Sequence, residues 1–263
     1  MARFCPMFSS SSGNSEYIGS AKGGIIIDVG VSAKRENEAL SALGVDISSI
    51  GAVFITHEHC DHIRGLRVFA GMHGLKVYAS EGTLAELEKA GVLTDKFEAD
   101  VVPSEGIEIN GMFIKPFHTS HDARESVGYS VTTADGKRIS VATDTGTVTE
   151  EMFSSIYGSD LIMIESNHDV GMLRNGNYPY LTKRRILSDV GHLSNDACAE
   201  TVKRLMEGGT KRYFLGHLSK ENNVPVLAYE TTRSCLTEVG AEEGCDYILK
   251  VAPSCDIPKM TVL

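Results

Sequence analysis

The sequence predicts an α/β chain folded as a four-layer αββα sandwich, read as a single domain over residues 1–263. Three observations lead there. Short apolar, β-branched runs alternate with stretches of helical period in each half of the chain. Asn110-Gly111 and Asp135-Gly136 mark two tight hairpins between alternating runs in the middle. Strands in both halves stop at histidine or aspartate, which places a polar site along one rim.

The elements follow in order. Residues 9–15, rich in serine, read as a polar loop, and 24–30 as a strand that reaches Asp28. Residues 32–43 have helical period, with Ala39, Leu40 and Leu43 on one face. A buried strand over 52–56 leads into a polar cluster, and 63–73 continues as a helix. A strand over 75–79 and a helix over 83–90 come next. The hairpins pair 107–109 with 112–117, and 127–133 with 137–143. Then come a helix over 149–156, a strand over 161–165, and a basic segment from Arg174 to Arg185 running into a helix. Ser194 caps a helix to about Met206, and a strand over 213–215 leads to His217. A helix over 224–238 and a strand over 247–252 complete the pattern.

Composition narrows the class. A hydrophobic content of 42% with 23% charged residues is ordinary for a globular protein. No run approaches the ~18 apolar residues of a membrane span. Met1-Ala2-Arg3-Phe4-Cys5-Pro6 lacks the apolar core of a signal peptide. The six cysteines, at 5, 60, 198, 235, 245 and 255, form no C-x-x-C pair and read as reduced thiols of a cytoplasmic protein. A net charge of −10 argues against broad adhesion to nucleic acid, though a local basic groove remains open.

The chemistry concentrates in His57-Glu58-His59-Cys60-Asp61-His62. Such a row at a strand end is costly to desolvate without an ion. Three imidazoles and a carboxylate suit a divalent ion of the zinc, manganese or iron kind. One ion cannot easily use all four. The natural reading is two ions, one served by His57 and His59 and the other by Asp61 and His62. His73, His118, His121, His168, His192 and His217 remain to complete them.

H-x-H-x-D-H after a strand resembles the signature of the metallo-β-lactamase fold. That resemblance implies a metal centre and hydrolysis of esters, amides, thioesters or phosphodiesters. It implies that Asp28 supports the histidine loop from behind. The third ligand of the first ion is then His121, with His118 as the alternative, in Phe117-His118-Thr119-Ser120-His121 ahead of Val127-Gly128-Tyr129. Asp144 takes the place of the bridging carboxylate and His217 that of the last ligand. Two dications bring the pKa of a bridging water to about 7, making it the nucleophile. Asp61 orients it and accepts its proton. His192 and His168 are the candidate proton donors to a leaving alkoxide, with helix capping or a backbone hydrogen bond as the alternative role for each. Cys60 is expected to pack behind the loop, and His73 to lie on a helix surface.

The histidine ahead of the last ligand is similar to that of ribonuclease Z-like phosphodiesterases, which favours His192 as donor. The wording is closer still to the YycJ (WalJ) family of small exonucleases. The match rests on Ser11-Ser12-Gly13-Asn14, the cluster, Ser120-His121-Asp122-Ala123, Thr143-Asp144-Thr145-Gly146, Glu165-Ser166-Asn167-His168-Asp169, Gly191-His192-Leu193-Ser194-Asn195 and Leu215-Gly216-His217-Leu218-Ser219. It implies a 5′-to-3′ exonuclease acting on DNA rather than RNA, with two manganese or zinc ions. Arg174, Lys183, Arg184, Arg185, Ser219 and Lys220 are the candidate substrate contacts, against the plainer reading of a solvated helix face. Two rivals stand beside this: a hydrolase of small esters, lactones, thioesters or cyclic nucleotides, and a non-catalytic regulatory protein. The acidic charge suits the first rival; the intact ligand set argues against the second.

Overall fold

The computed structural model describes residues 1–254 and 259–263. The chain runs β1 (Arg3–Phe8), β2 (Ser15–Ser20), β3 (Gly23–Ile27), α1 (Ala33–Ala42), β4 (Ile50–Phe54), α2 (Cys60–Ile63), α3 (Leu66–His73), β5 (Val77–Ala79), α4 (Glu81–Lys89), β6 (Ala99–Val101), β7 (Ile107–Ile109), β8 (Met112–His118) and β9 (Val127–Thr132). It continues with β10 (Arg138–Ala142), α5 (Glu150–Ile156), β11 (Leu161–Glu165), α6 (Val170–Asn175), α7 (Tyr180–Ile186), α8 (Asn195–Glu207), β12 (Arg212–Gly216), α9 (Pro225–Glu238), β13 (Ile248–Val251) and β14 (Thr261–Val262).

Local chemistry sets most boundaries. Ser32, Ser80, Thr149 and Ser194 cap α1, α4, α5 and α8, each side-chain oxygen accepting a backbone N–H of the first turn. Asn110 and Gly111 both adopt positive φ between β7 and β8, as a two-residue hairpin turn requires. Thr133 N–H donates to Lys137 O at 2.8 Å to close the second turn.

Three expectations need correction. Residues 3–8 and 15–20 are strands, although the pattern marks only the serine loop of residues 9–15 in this region; β2 is buried along its whole length and so shows no alternation. The helix expected over 63–73 is broken at Gly65. Its N–H bonds Val29 O at 2.9 Å, and a Cβ at that position would lie 2.0 Å from Val31 O. The helix starts afresh after that contact. The basic segment forms two short helices, α6 and α7, separated by residues 176–179, which include Gly176 and Pro179.

Two compact units make up the chain. The first comprises Met1–Pro116, Ala123–Lys137 and Pro253–Leu263. Its seven-stranded sheet has the order β14-β1-β2-β3-β4-β5-β6, antiparallel as far as β3 and parallel from β3 to β6. The parallel strands need crossovers, and the helices after β3, β4 and β5 provide them. Ile26, Val53, Ile55, Leu40, Phe69 and Leu87 share one buried core cluster. The second unit comprises Phe117–Asp122 and Arg138–Ala252. Its strands β10, β11, β12 and β13 are parallel, Ile164 standing opposite Ala142 and Leu215. Their near-continuous apolar runs pack with Val202, Leu205 and Leu236 of α8 and α9. No helix among the described residues is long and apolar enough to cross a membrane. The five cysteines within the described residues are free thiols; Cys255 lies outside them.

Candidate metal centre

In the first unit the donors follow β4. His57 and His62 are buried, while His59 and Asp61 are half-exposed. The His57 ring centroid lies 4.6 Å from that of His59 and 4.1 Å from that of His62. Behind them, Asp28 accepts from Thr56 N–H at 2.9 Å, Thr56 Oγ1 at 2.7 Å and His62 Nδ1 at 2.7 Å. Every partner of this carboxylate is a donor. His62 is therefore protonated on Nδ1 and presents the Nε2 lone pair forward, as a metal-ligating histidine with a carboxylate behind it does.

Asn14 is a part that the sequence reading quoted without a role. Its N–H donates to Asp61 O at 2.9 Å, and its Nδ2 lies 3.1 Å from His62 Nε2. Gly30 allows this approach, because a Cβ there would sit 1.7 Å from Asp61 O. Cys60 is exposed at the start of α2, contrary to the expectation that it packs behind the loop. His73, half-buried, ends α3 with its Nε2 2.9 Å from Asn37 Oδ1.

In the second unit the donors sit at three strand ends and on two loops. His121 is buried, its Nδ1 donates to Gly191 O at 2.9 Å, and its Nε2 lies 3.7 Å from Asp144 Oδ1. Burial lowers its pKa, which favours the neutral, ligating imidazole. His118, three residues earlier, is exposed. Asp144 follows β10 and His217 follows β12.

Glu165, the last residue of β11, is the node that sequence reading passed over. It is fully buried. Its Oε1 accepts from His192 Nδ1 and from His217 Nδ1, both at 2.8 Å. Its Oε2 accepts from Thr145 N–H at 2.8 Å and Leu193 N–H at 3.2 Å. Burial alone would raise its pKa, but His192 and the hydrogen bonds from both histidines outweigh burial and hold it low. Asp144, Glu165, His192 and His217 offer ligand atoms that all lie within 4.8 Å of one another. Nitrogen and carboxylate donors, with imidazoles turned by hydrogen bonds at Nδ1, fit a divalent ion of borderline softness.

Backbone conformation marks the same positions. Asp28, Asp144 and His217 have φ of 59°, 56° and 54°; among the described residues the other non-glycine residue with positive φ is the hairpin Asn110. A left-handed L-residue costs about 1–2 kcal/mol. Three such residues, each directly or closely following a strand, store strain where the donors are aimed.

The other candidates divide. His168 is buried, and neither ring nitrogen has a hydrogen-bond partner among the described residues. Burial lowers its pKa to about 4. His192 is more open, with 13% of its side chain exposed. Lys183 Nζ caps α6, donating to Arg174 O at 2.8 Å and Gly176 O at 2.7 Å. Arg185 is held by both carboxylate oxygens of Asp122. Ser219 is buried and its Oγ accepts from Asn222 N–H. Arg174, Arg184 and Lys220 are exposed.

The family model described as a beta-lactamase superfamily domain matches residues 24–218. The chain is 37% identical over 248 residues to exodeoxyribonuclease WalJ of Streptococcus pneumoniae serotype 2 (strain D39 / NCTC 7466), covering 93% of this chain and 92% of that protein. This chain belongs to the WalJ/YycJ family of the β-lactamase superfamily. Exodeoxyribonuclease YycJ of Bacillus anthracis, also of that family, is 37% identical over 247 residues, covering 92% and 91%. The fold is the metallo-β-lactamase α/β sandwich. It is shared with the metallo-beta-lactamase fold protein YhfI from Bacillus subtilis at a TM-score of 0.73 and 13% identity, over 97% of this chain and 98% of that one. The chain is a metal-dependent hydrolase, and the donor sets above suit divalent metals.

Proposed function

We propose that this chain is a 5′-to-3′ exodeoxyribonuclease, a metal-dependent phosphodiesterase acting on DNA ends in preference to RNA. The near end-to-end likeness to proteins named exodeoxyribonuclease supports the reaction class. In this reading both units act as one catalytic domain in the cytoplasm, where its thiols stay reduced. His57, His59 and His121 would hold one ion and Asp61, His62 and His217 a second, with Asp144 the carboxylate offered to both. The ions would be zinc, manganese or iron. When bound, they make water ionisable at neutral pH and offset phosphate charge. Asp28 and Glu165 turn the ligating imidazoles, and Asp61 takes a proton from the attacking water.

The observation that carries the reading is His192. A sugar alkoxide is a poor leaving group and needs a proton as its P–O bond breaks. His192 is pinned through Nδ1 by Glu165 and lies beside His217, so that in its imidazolium form it would carry a second proton on Nε2 to donate. His168 is the poorer donor, since burial has lowered its pKa to about 4 and keeps it a neutral imidazole at neutral pH. The test is manganese-supplemented digestion of end-labelled single- and double-stranded DNA and RNA bearing 5′-phosphate or 5′-hydroxyl ends. Hydrolysis of small esters with intact DNA throughout would sink the proposal.

A further inference from the structure

The surface of α7 carries a feature that the metal chemistry does not use. Tyr180 and Leu181, on its first turn, are 74% and 68% exposed. Arg184 lies one turn further on, at i+4 from Tyr180 and i+3 from Leu181, so the three share a face. Arg184 is exposed and has no ion pair or hydrogen bond among the described residues. In a chain of net charge −10, an unneutralised arginine beside an exposed aromatic suits an anion that also offers a flat apolar surface.

The helix is firmly attached to the candidate centre of the same unit. Lys183 fastens it to the end of α6, and Arg185 pairs with Asp122, the neighbour of His121. His192 N–H donates to Ile186 O at 3.0 Å, at the C-terminal end of α7. Tyr180 and Arg185 are five positions apart, about 7.5 Å along a helix axis. That is roughly two steps of ~3.4 Å along a stacked nucleic-acid strand.

We propose that the Tyr180–Leu181 face of α7 is a stacking platform for an unpaired base of the substrate strand, with Arg184 on the adjoining phosphate. The platform rests on the nuclease reading and deepens it, for it makes a frayed or single-stranded DNA end the species engaged. A second protein would need far more apolar area, since a stable interface covers about 800 Å² on each partner.

The chain contains no tryptophan, so Tyr180→Trp installs a single reporter. In metal-loaded enzyme its fluorescence should be quenched saturably by a phosphorothioate-linked single-stranded oligonucleotide, and far less by an abasic strand of equal length. Tyr180→Ala with Leu181→Ala should raise KM for single-stranded DNA about tenfold or more, and Tyr180→Phe should restore it. Turnover of bis(nitrophenyl) phosphate, which has no base to stack, should not change. Equal quenching by the abasic strand would reduce the face to a phosphate contact and overturn the platform. An unchanged KM, with wild type degrading DNA, would overturn the platform and leave the nuclease reading standing. Wild type that cleaves the nitrophenyl diester but neither binds nor degrades DNA would remove both. If the double variant also loses nitrophenyl turnover, its fold is disturbed, and the Tyr180→Trp titration decides.

Discussion

Glu165→Gln is the perturbation whose outcome the structure specifies most closely. All four partners of Glu165 are donors: His192 Nδ1, His217 Nδ1, Thr145 N–H and Leu193 N–H. A carboxamide of the same shape supplies one acceptor oxygen. Its NH2 then faces either the two imidazoles or the two backbone amides, donor against donor. Removing one side of a buried, hydrogen-bonded charge costs about 3–5 kcal/mol. For a chain of this size each kcal/mol shifts Tm by about 2–4 °C, so a fall of roughly 6–20 °C is expected in metal-free protein. Loss of the group that orients the histidines should also weaken metal binding by ~10–100-fold. Thermal unfolding of metal-free protein and calorimetric titration with zinc or manganese read the two effects separately. A Glu165→Gln protein with wild-type Tm and metal affinity within twofold of wild type would refute the reasoning.

Other outcomes follow from the same geometry. Asp61→Ala should lower DNA hydrolysis by ~10² or more while the protein stays folded, as circular dichroism and single-turnover rates at saturating metal will show. His192→Ala should slow DNA cleavage by ~10²–10⁴ and an activated nitrophenyl diester far less; equal slowing of both would remove it as proton donor. In salt titrations of DNA affinity, Arg184→Ala should flatten the log–log slope by about one unit. Lys183→Ala should change the slope less, because that ammonium is held in place by Arg174 O and Gly176 O and is not free to follow a phosphate. Glu36, fully buried in α1, has its pKa raised to about 8 by burial, against the lowering effect of the Ser15 hydrogen bond. Its folded pKa exceeds the unfolded one, so its stabilising effect is complete below about pH 4.5 and is lost as pH rises through about 8. Glu36→Gln should remove that loss; denaturation midpoints that fall equally with pH in both proteins would contradict it.

The sequence by itself was enough for whatever depends on neighbours in the chain. The hairpin at Asn110-Gly111 and the Ser194 cap are set by residues within a few positions, and the structure has them where the pattern places them; the strand leading into His57 is present too, at Ile50–Phe54, two residues earlier than the pattern gives it. The row His57 to His62 is legible for the same reason: its donors are adjacent before the chain folds. Tertiary structure decided what depends on distant partners. Asp28 meets His62 across 34 positions, Glu165 meets His217 across 52, and Asn14 meets His62 across 48. A glutamate ending an apolar strand looks the same in sequence whether it faces solvent or two imidazoles. The basic segment makes the same point from the other side: as sequence, Lys183, Arg184 and Arg185 are equivalent cations. Folding commits the first to carbonyl oxygens and the third to Asp122, and leaves the middle one open to an anion. Side-chain charge is local, but the partner that holds it is chosen by the path of the backbone.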